Sequence, residues 1–466
     1  MKALLPTPAA HRPELDPEFL PASLWTRQYR SLGDEHGTRP IEIELLRPDG
    51  AGTRHDDALL PDTPEFHELN RHHLERTIKF LLWGRGGSRV RLKGCAELCD
   101  ELQQAYAPGG GRAFDADFVE RVFGEALTIQ DASSGSSDSP PSTASARGTD
   151  SALKGCRIGF DLGGSDRKCA ALIDGEVVFS EEIPWDPYFQ KDPSYHYEGI
   201  MDSLRRAAAH LPRVDAIGGS AAGVYVDNRV RVASLFRGVP DELFKDRVEN
   251  IFLDIAREWN DVPIRVVNDG DVTALAGSMS MKDGAVLGFA MGTSSAAGYV
   301  DGDGSITDWL SELAFVPIDY RENAPADEWS GDIGCAVQYF SQQGVSRLIP
   351  ASGLEIDPEL GKPEQLVKVQ EFMEAGDDRA AAIYRTIGTC LGYSIPQFAR
   401  FYEIRHLLLL GRVMSGKGGD LIIEHADTVL RDEFPALAST LQISTPDEKM
   451  KRHGQAIAAA SLPVLP

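Results

Sequence analysis

Apolar residues recur at helical spacing in several stretches of this chain. They are three to five positions apart from Phe66 to Leu82, and they share one face from Glu242 to Trp259. Each of these two stretches is therefore predicted to form a helix. Further helices are predicted over residues 95–106, 197–211 and 421–430.

Short alternating or wholly apolar runs between these helices predict strands. Val90 and Leu92 alternate with basic residues in the run 88–93. Asp174-Gly175 separates two apolar runs and predicts a tight hairpin. The predicted strands of the C-terminal part cover 157–161, 169–173, 177–179, 216–218, 264–267, 286–290, 297–300 and 407–410. Strand–turn–strand units that alternate with helices, twice along the chain, indicate two related α/β lobes.

One segment interrupts these patterns. From Asp131 to Ser151, Ser, Pro, Gly and Thr replace nearly all large apolar residues. Such a segment cannot bury enough surface to offset its ordering entropy, so it predicts a flexible linker. The predicted organisation is an N-terminal extension (1–130), the linker (131–154), a first lobe (155–285) and a second lobe with a C-terminal helix (286–466).

Composition and charge argue against several classes of protein. The net charge is −24 and the pI about 4.9, which argues against a protein whose main function is to bind nucleic acid or anionic lipid. No apolar run approaches the roughly 20 residues that span a bilayer, and no secretory signal is evident. The six cysteines are scattered through the chain, unlike a disulfide framework, which favours a cytoplasmic protein.

Four segments carry candidate chemistry. In Asp161-Leu162-Gly163-Gly164-Ser165, a carboxylate ends a strand and two glycines allow backbone N–H groups to approach phosphate oxygens. Gly292-Thr293-Ser294-Ser295 repeats this arrangement. In Asn268-Asp269-Gly270-Asp271, a carboxylate follows a strand and could accept the proton of an attacking hydroxyl. Glycines in 411–419 precede a helix and could admit a purine or a phosphate.

Each segment also has a purely structural interpretation. The two glycine turns could be ordinary hairpin turns. Asp269 or Asp271 could cap the following helix, with the other carboxylate left for chemistry. The four segments in this order favour the functional interpretation.

Taken together, these motifs resemble those of the ROK family (repressors, open reading frames and kinases) in the sugar kinase, Hsp70 and actin superfamily. That family has an Asp-x-Gly-Gly-Thr phosphate loop, an Asn-Asp catalytic motif, a Gly-Thr second phosphate motif and a glycine-rich adenosine motif. Asp161–Ser165, Asn268-Asp269, Gly292-Thr293 and Gly411–Gly419 match them in turn. The resemblance covers residues 156–462, about two thirds of the chain.

The resemblance implies an ATP- and Mg²⁺-dependent, glucokinase-like sugar kinase. The implied fold is α/β, a two-lobed actin-like (ribonuclease H-like) ATPase with an N-terminal α+β extension. Asp269 would be the catalytic base, Asn268, Asp269 and Glu312 would bind the sugar, and Asp161 would hold Mg²⁺ through water. The implied ATP contacts are Asp161, Gly163, Gly164, Ser165, Lys168, Gly292, Thr293, Ser294, Gly411 and Gly416.

The chain also departs from the family pattern. Family kinases carry Glu-x-Gly-His and then a zinc-binding Cys-x-Cys-Gly-x-x-Gly-Cys-x-Glu. Here the first reads Glu312-Leu313-Ala314-Phe315, and in the second, over 328–337, only Gly331, Gly334 and Cys335 match. No zinc is therefore expected. Asp327, Glu328 and Asp332 either replace lost sugar contacts or are solvated loop charges.

Two alternatives stay open at this point. Some relatives fuse a winged helix to this fold, and the basic stretch 67–94 could form a wing of a sugar-responsive regulator. The chain could also be a non-catalytic sugar or nucleotide sensor. For the kinase, the basic residues would instead dock the extension on an acidic body. Partners would be a sugar and ATP, without nucleic acid or membrane, and a homodimer is left open.

Overall fold

The structure, a computed structural model, describes residues 5, 8–132, 144–147, 153–446 and 454–465. The chain forms two compact units. The first comprises residues 1–143, 289–297 and 309–444, and the second comprises 144–288, 298–308 and 445–466. No helix in the described ranges is long and apolar enough to cross a membrane. The predicted linker 131–154 lies largely outside the described residues.

The N-terminal part of the first unit is an α+β module. It contains α1 (Ala22–His36), β1 (Arg39–Leu46), β2 (Gly52–Leu59), α2 (His67–Gly84), β3 (Arg89–Lys93), α3 (Ala96–Ala105), α4 (Ala113–Phe123) and β4 (Thr128–Asp131). Its sheet has the order β2-β1-β3-β4, with β1 antiparallel to both neighbours and β3 parallel to β4. Val90 and Leu92 of β3 are buried, as their alternation predicts.

Helix α2 is the central helix of this module. Its predicted apolar stripe, Leu69, Leu74, Ile78 and Leu81, is buried. Burial extends around the helix to charged residues of the same turns, and this was not predicted from the spacing. Because α2 is enclosed on nearly all faces, it cannot serve as an exposed recognition helix.

The second unit is built on a five-stranded sheet. Its elements are β5 (Ala144–Arg147), β6 (Cys156–Leu162), β7 (Asp166–Ile173), β8 (Glu176–Pro184), α5 (Ser194–Ala208), β9 (Ala216–Ala221), β10 (Val224–Val226), β11 (Arg229–Val232), α6 (Asp241–Leu243), α7 (Ile251–Glu258), β12 (Ile264–Asn268) and α8 (Asp269–Met281). The sheet order is β12-β9-β6-β7-β8. The β7–β8 hairpin turns at Asp174-Gly175, both with positive φ, so that prediction is confirmed.

The helix predicted over 242–259 is not continuous. The chain forms α6, then a π-helical segment from Phe244 to Val248, and only then α7. The wider π turn lets Val248 and Ile251 enter the same buried core across the interruption. The apolar spacing therefore indicated the buried face correctly but not the break.

The remaining elements complete both units. They are β13 (Val286–Met291), β14 (Ser295–Val300), β15 (Ser305–Thr307), α9 (Gln342–Ser352), α10 (Lys362–Glu374), α11 (Asp378–Phe398), β16 (His406–Leu410), α12 (Lys417–Glu433), α13 (Pro435–Ala438), β17 (Gln442–Ser444) and α14 (Gln455–Ala460). A six-stranded sheet has the order β17-β16-β13-β14-β15-β5.

Helix α14 lies directly against the sheet of the second unit. A Cβ atom on Gly159 would lie 1.8 Å from the carbonyl oxygen of Ala456, and one on Gly218 would lie 1.7 Å from that of Ala459. Glycine at these two strand positions therefore permits the close approach of the helix. The C-terminal helix thus supports strands β6 and β9 from one face.

A buried ion network ties the N-terminal module to the rest of the first unit. Lys79 of α2 is fully buried, and its Nζ lies 2.8 Å from Asp115 Oδ1 and 2.7 Å from Asp332 Oδ2. Arg112 pairs with Asp332 at 2.5 Å and also with Glu75. Burial alone would lower the pKa of Lys79, but the two carboxylates outweigh it and raise that pKa, so the amine stays charged.

Replacing Lys79 tests how much this network stabilises the unit. Lys79→Met leaves Asp115 and Asp332 buried without their shared ammonium, so we expect a loss of about 3–5 kcal/mol in the free energy of unfolding. Lys362→Met is the matched control, because Lys362 pairs with the exposed Glu328 and should contribute at most about 1 kcal/mol. Urea denaturation measures the free energy of unfolding of both variants. Equal losses in the two would contradict a stabilising role for the Lys79 network.

Candidate active site

Three parallel strands bring the candidate catalytic residues to one edge of the second unit's sheet. In register, Leu162 of β6 lies beside Ala221 of β9, which lies beside Asn268 of β12. Asp161 and Asp269 are the chain neighbours of two of these residues. Their carboxylates therefore converge at the C-terminal edge of the strands, where α/β sheets bind ligands.

Asp161 lies in a buried polar setting. Its Oδ1 accepts a 2.6 Å hydrogen bond from the hydroxyl of Ser220, and its Oδ2 lies 4.0 Å from Nζ of Lys168 on the neighbouring strand. Burial raises the pKa of Asp161 to about 6; the bond from Ser220 opposes this shift, and the charge of Asp269 adds to it. The carboxylates thus interact electrostatically, and a bound cation would favour the ionised form of both.

Asp269 begins helix α8, but the helix cap is the residue before it. Asn268 Oδ1 accepts from the N–H of Gly270 at 2.7 Å, and Asn268 Nδ2 donates to the carbonyl of Gly223. The expectation that Asp269 or Asp271 caps this helix is therefore wrong. Asp271 is buried and accepts from the N–H of Tyr299.

This division of roles leaves Asp269 for chemistry. Its Oδ1 accepts from the N–H of Gly270 at 3.1 Å, and among the described residues its Oδ2 has no hydrogen-bond partner. Burial raises the pKa of Asp269, with the bond from Gly270 opposing the shift. A half-buried carboxylate with one uncommitted oxygen and a raised pKa has the properties of a general base.

Two residues of this edge were not predicted from the sequence. Ser220 supports Asp161, and Tyr225 of the β10–β11 hairpin lies close enough to Asp269 for that charge to raise the tyrosine pKa further, beyond the effect of burial. The hairpin turns at Asp227-Asn228, both with positive φ. An Asp-Asn pair between two apolar runs is a turn signal that could have revealed it.

The turn between β6 and β7 has the features of an anion clamp. The N–H of Gly163 closes the turn on the carbonyl of Asp166. The N–H groups of Gly164 and Ser165 make no hydrogen bond to any described residue. A Cβ on Gly164 would lie 2.0 Å from the hydroxyl of Tyr188, so glycine is also required for packing.

The turn between β13 and β14, in the first unit, repeats this geometry. The N–H of Gly292 closes on the carbonyl of Ser294, and the N–H of Gln342 donates to the carbonyl of Gly292. Thr293 and Ser294 are exposed, and within the described ranges their N–H groups are uncommitted. Each unit therefore carries one such turn.

The glycine-rich segment also lies in the first unit, after β16. Gly411 has φ +100°, and a Cβ there would lie 2.4 Å from the carbonyl of Met291 at the end of β13. Gly416, with φ +69°, precedes α12, which begins at Lys417, four residues before the predicted start. The segment thus ends at an N-terminus whose first N–H groups receive no side-chain cap.

The segment with the altered family motifs is held by packing and charge. Glu312 precedes a 3₁₀ turn over Leu313–Phe315. Asp332 is paired with Lys79 and Arg112, and Asp327 is buried, accepting from Ser330 N and Oγ. Neither residue is a solvated loop charge, whereas the exposed Glu328 is one and pairs with Lys362.

The basic stretch of the extension is neutralised by nearby acids. Arg71 pairs with Glu68, Arg76 with Glu75, Arg89 with Glu125 and Arg91 with Glu44. The guanidinium of Arg85 lies 4.8 Å from the ring of Trp309, and its Nη2 donates to the carbonyl of Phe401. The four ion pairs lie within the extension, and the contacts of Arg85 reach later residues of the first unit, so these five arginines are engaged in contacts within the first unit.

Comparison with solved structures identifies the fold. A ROK hexokinase from Thermus thermophilus matches with a TM-score of 0.52 at 16% identity, over 66% of this chain and 97% of the hexokinase. The chain has the ROK sugar kinase fold, an α/β fold of the actin-like ATPase type.

Two further ROK structures match less closely. A ROK family glucokinase from Streptomyces griseus, in complex with glucose and AMPPNP, has a TM-score of 0.48, 17% identity and coverage of 66% and 99%. A ROK family transcriptional regulator, a homolog of the E. coli MLC protein, has a TM-score of 0.48 and 18% identity. The match covers 66% of this chain and 78% of the regulator. No family model and no curated protein matches the sequence.

The ROK fold raises the question of whether the residues present fit ATP and Mg²⁺. Asp161 and Asp269 supply hard oxygen donors of the kind Mg²⁺ prefers, alongside water and phosphate oxygens. No described group of three or more His, Cys, Asp or Glu side chains is placed to hold a metal by itself. The residues therefore fit a magnesium ion that is held mainly by water and phosphate.

The remnant of the zinc motif generates a prediction. Burial raises the pKa of the Cys335 thiol, with neighbouring carboxylates adding to the shift and Lys79 opposing it, so the thiol stays protonated and is a poor zinc ligand. We expect the purified protein to hold no stoichiometric zinc by elemental analysis. Chelators should leave its melting temperature unchanged. One zinc per chain, lost together with stability, would refute this expectation.

Proposed function

We propose that this chain is an ATP-dependent sugar kinase that transfers a phosphoryl group to a hydroxyl of a sugar. The observation that carries the proposal is Asp269, a carboxylate with a raised pKa and an uncommitted oxygen, beside Asp161 at a parallel strand edge. The fold of a ROK hexokinase supports the same reading. We also propose a cytoplasmic location.

In this mechanism, Asp269 accepts the proton of the attacking hydroxyl as the oxygen–phosphorus bond forms. The bond between the γ-phosphorus of ATP and its bridging oxygen would break, so that ADP leaves, and a magnesium ion bound near Asp161 would supply positive charge for the phosphates. Asp269 later returns the proton to water. General-base catalysis needs the ionised carboxylate, and the raised pKa gives that carboxylate a higher proton affinity.

The phosphate contacts are assigned to the two turns. Gly164 and Ser165 would donate backbone N–H groups to a phosphate, and Lys168 would add a positive charge. Gly163, whose N–H closes the turn, would leave room for the phosphate to approach. In the turn between β13 and β14, Thr293 and Ser294 would donate backbone N–H groups in the same way, and Gly292, whose N–H closes that turn, would leave room for a phosphate. Gly411 and Gly416 would leave room for the adenosine.

The acceptor contacts are assigned to Asn268, Asp269 and Glu312. Asn268 already uses its amide to cap α8 and to hold Gly223. It retains one further N–H and one lone pair for a sugar hydroxyl. Asp161 would hold Mg²⁺ through water.

Asp269→Asn should cut turnover by about two to four decades, the usual contribution of a general base, with little change in ATP affinity. The amide keeps the shape of the carboxylate and its contact with Gly270. ADP release measured over hexoses, N-acetylhexosamines and polyols provides the assay. Asp271→Asn is the control, because Asp271 faces the backbone of Tyr299 and should affect stability more than turnover. Wild-type turnover in Asp269→Asn would exclude the assignment.

The pH dependence follows from the same residue. Burial raises the pKa of Asp269, so the active carboxylate form is lost as the pH falls through that raised value. We expect the acid limb of kcat/KM for the acceptor to lie above the value of about 3.9 for an ordinary aspartate. The residual activity of Asp269→Asn should lack that limb. A wild-type profile that stays flat down to pH 4 would argue against Asp269 as the base.

A further inference from the structure

The loop that carries Glu312 is held by the C-terminal end of helix α2. We call residues 309–315 the Glu312 loop. The N–H of Ser311 donates to the carbonyl of Gly84 at 2.9 Å, and the N–H of Glu312 donates to that of Trp83 at 3.0 Å. The last carbonyls of a helix lack partners within the helix, so the loop supplies two of the hydrogen bonds that α2 needs at its end.

The backbone of the Glu312 loop depends on such support. Ser311 has φ +52°, in the left-handed region that residues other than glycine seldom adopt, and it is almost fully buried. A strained conformation of this kind persists only where its surroundings determine it. The two hydrogen bonds to α2 are donated by the N–H groups of this residue and of the next one, Glu312.

Residues of the N-terminal module contact both ends of the loop. The ring of Trp83 lies 4.4 Å from that of Phe315 and 4.1 Å from that of Phe118 in α4. At the other end, a Cβ on Gly86 would lie 2.6 Å from the side chain of Leu310, so these two segments of the chain are in close contact.

Trp83 is in turn fixed by the buried ion network. Its Nε1–H donates to Asp115 Oδ1 at 2.7 Å, the same oxygen that accepts from Lys79. Lys79 also bonds Asp332, so one connected set of contacts runs from the network through Trp83 to the Glu312 loop. Trp83 is the member of this set whose side chain can be changed without removing a buried charge.

We infer that the N-terminal module is part of the acceptor-binding apparatus, with Trp83 as a positioning residue for Glu312. This inference rests on the proposed function, in which Glu312 binds the sugar. The module would act by setting the position of the Glu312 backbone, while the groups assigned to ATP lie on other elements. Loss of this support should weaken acceptor use selectively.

The test compares Trp83→Leu with Trp83→Phe in the full-length protein. Trp83→Leu removes the ring that packs on Phe315, and we expect about a 10- to 100-fold lower kcat/KM for the acceptor, mainly through KM, as for other small misplacements of a binding group. Trp83→Phe keeps a ring against Phe315 and should recover part of the loss. The affinity for an ATP analogue, measured by calorimetry, should stay unchanged in both.

Leu92→Ala serves as the control for a general loss of stability. Leu92 is buried in β3 of the same module. Its replacement by alanine should lower the melting temperature without raising the KM for the acceptor. If Trp83→Leu is folded and keeps the wild-type acceptor KM, or if Leu92→Ala raises that KM equally, the positioning role is wrong.

A second measurement does not depend on catalysis. Hydrogen exchange at the amides of Ser311 and Glu312, the two donors to α2, should accelerate at least tenfold in Trp83→Leu relative to Leu92→Ala. Unchanged exchange would overturn the inference even if activity changed. If the wild-type protein neither binds nor phosphorylates any acceptor, the proposed function fails, while the exchange result still decides whether α2 holds the loop.

Discussion

The buried ammonium of Lys79 is the constraint on which much of the first unit depends. A fully buried charge is tolerated only when opposite charges and hydrogen bonds surround it. Asp115 supplies one partner from α4, and Asp332 supplies another from a distant part of the chain. Because the buried amine pairs with a carboxylate from each of these two parts of the chain, the N-terminal helices and the segment around Asp332 are held together. The aromatic contacts of Trp83 extend this arrangement to the Glu312 loop.

The candidate catalytic edge of the second unit follows a different physical rule. Strands that run parallel end at the same side of a sheet, so residues at their ends meet without any contact between them in sequence. Asn268 takes the structural task of capping α8, which leaves Asp269 with an uncommitted oxygen. Burial then raises the pKa of both Asp161 and Asp269. A cation among these carboxylates would relieve their repulsion.

Local patterns predicted many of the elements. The helix at α2, the hairpin at Asp174-Gly175 and the strands β6, β9 and β12 all follow from periodicity and turn chemistry, which depend on near neighbours in the chain. The π-helical break after α6 does not follow from such local patterns, because it depends on how Val248 and Ile251 enter one core. Residue preference offered Asp269 or Asp271 as a possible cap of α8, but the cap is Asn268. Asn268 also donates to the carbonyl of Gly223, between β9 and β10, and this contact with a distant segment is not visible in the local sequence.

The sequence by itself determined the alternation of strands and helices, the two glycine turns and the carboxylates that follow strands. These features are local, because spacing and turn preference involve residues a few positions apart. Only the tertiary structure decided that Asp332 is an ion-pair partner rather than a solvated charge, that Ser220 and Tyr225 lie beside the two aspartates, and that α2 supports Glu312. Each of these depends on a contact between distant segments, and the burial that gives such a contact its strength exists only once the chain has folded.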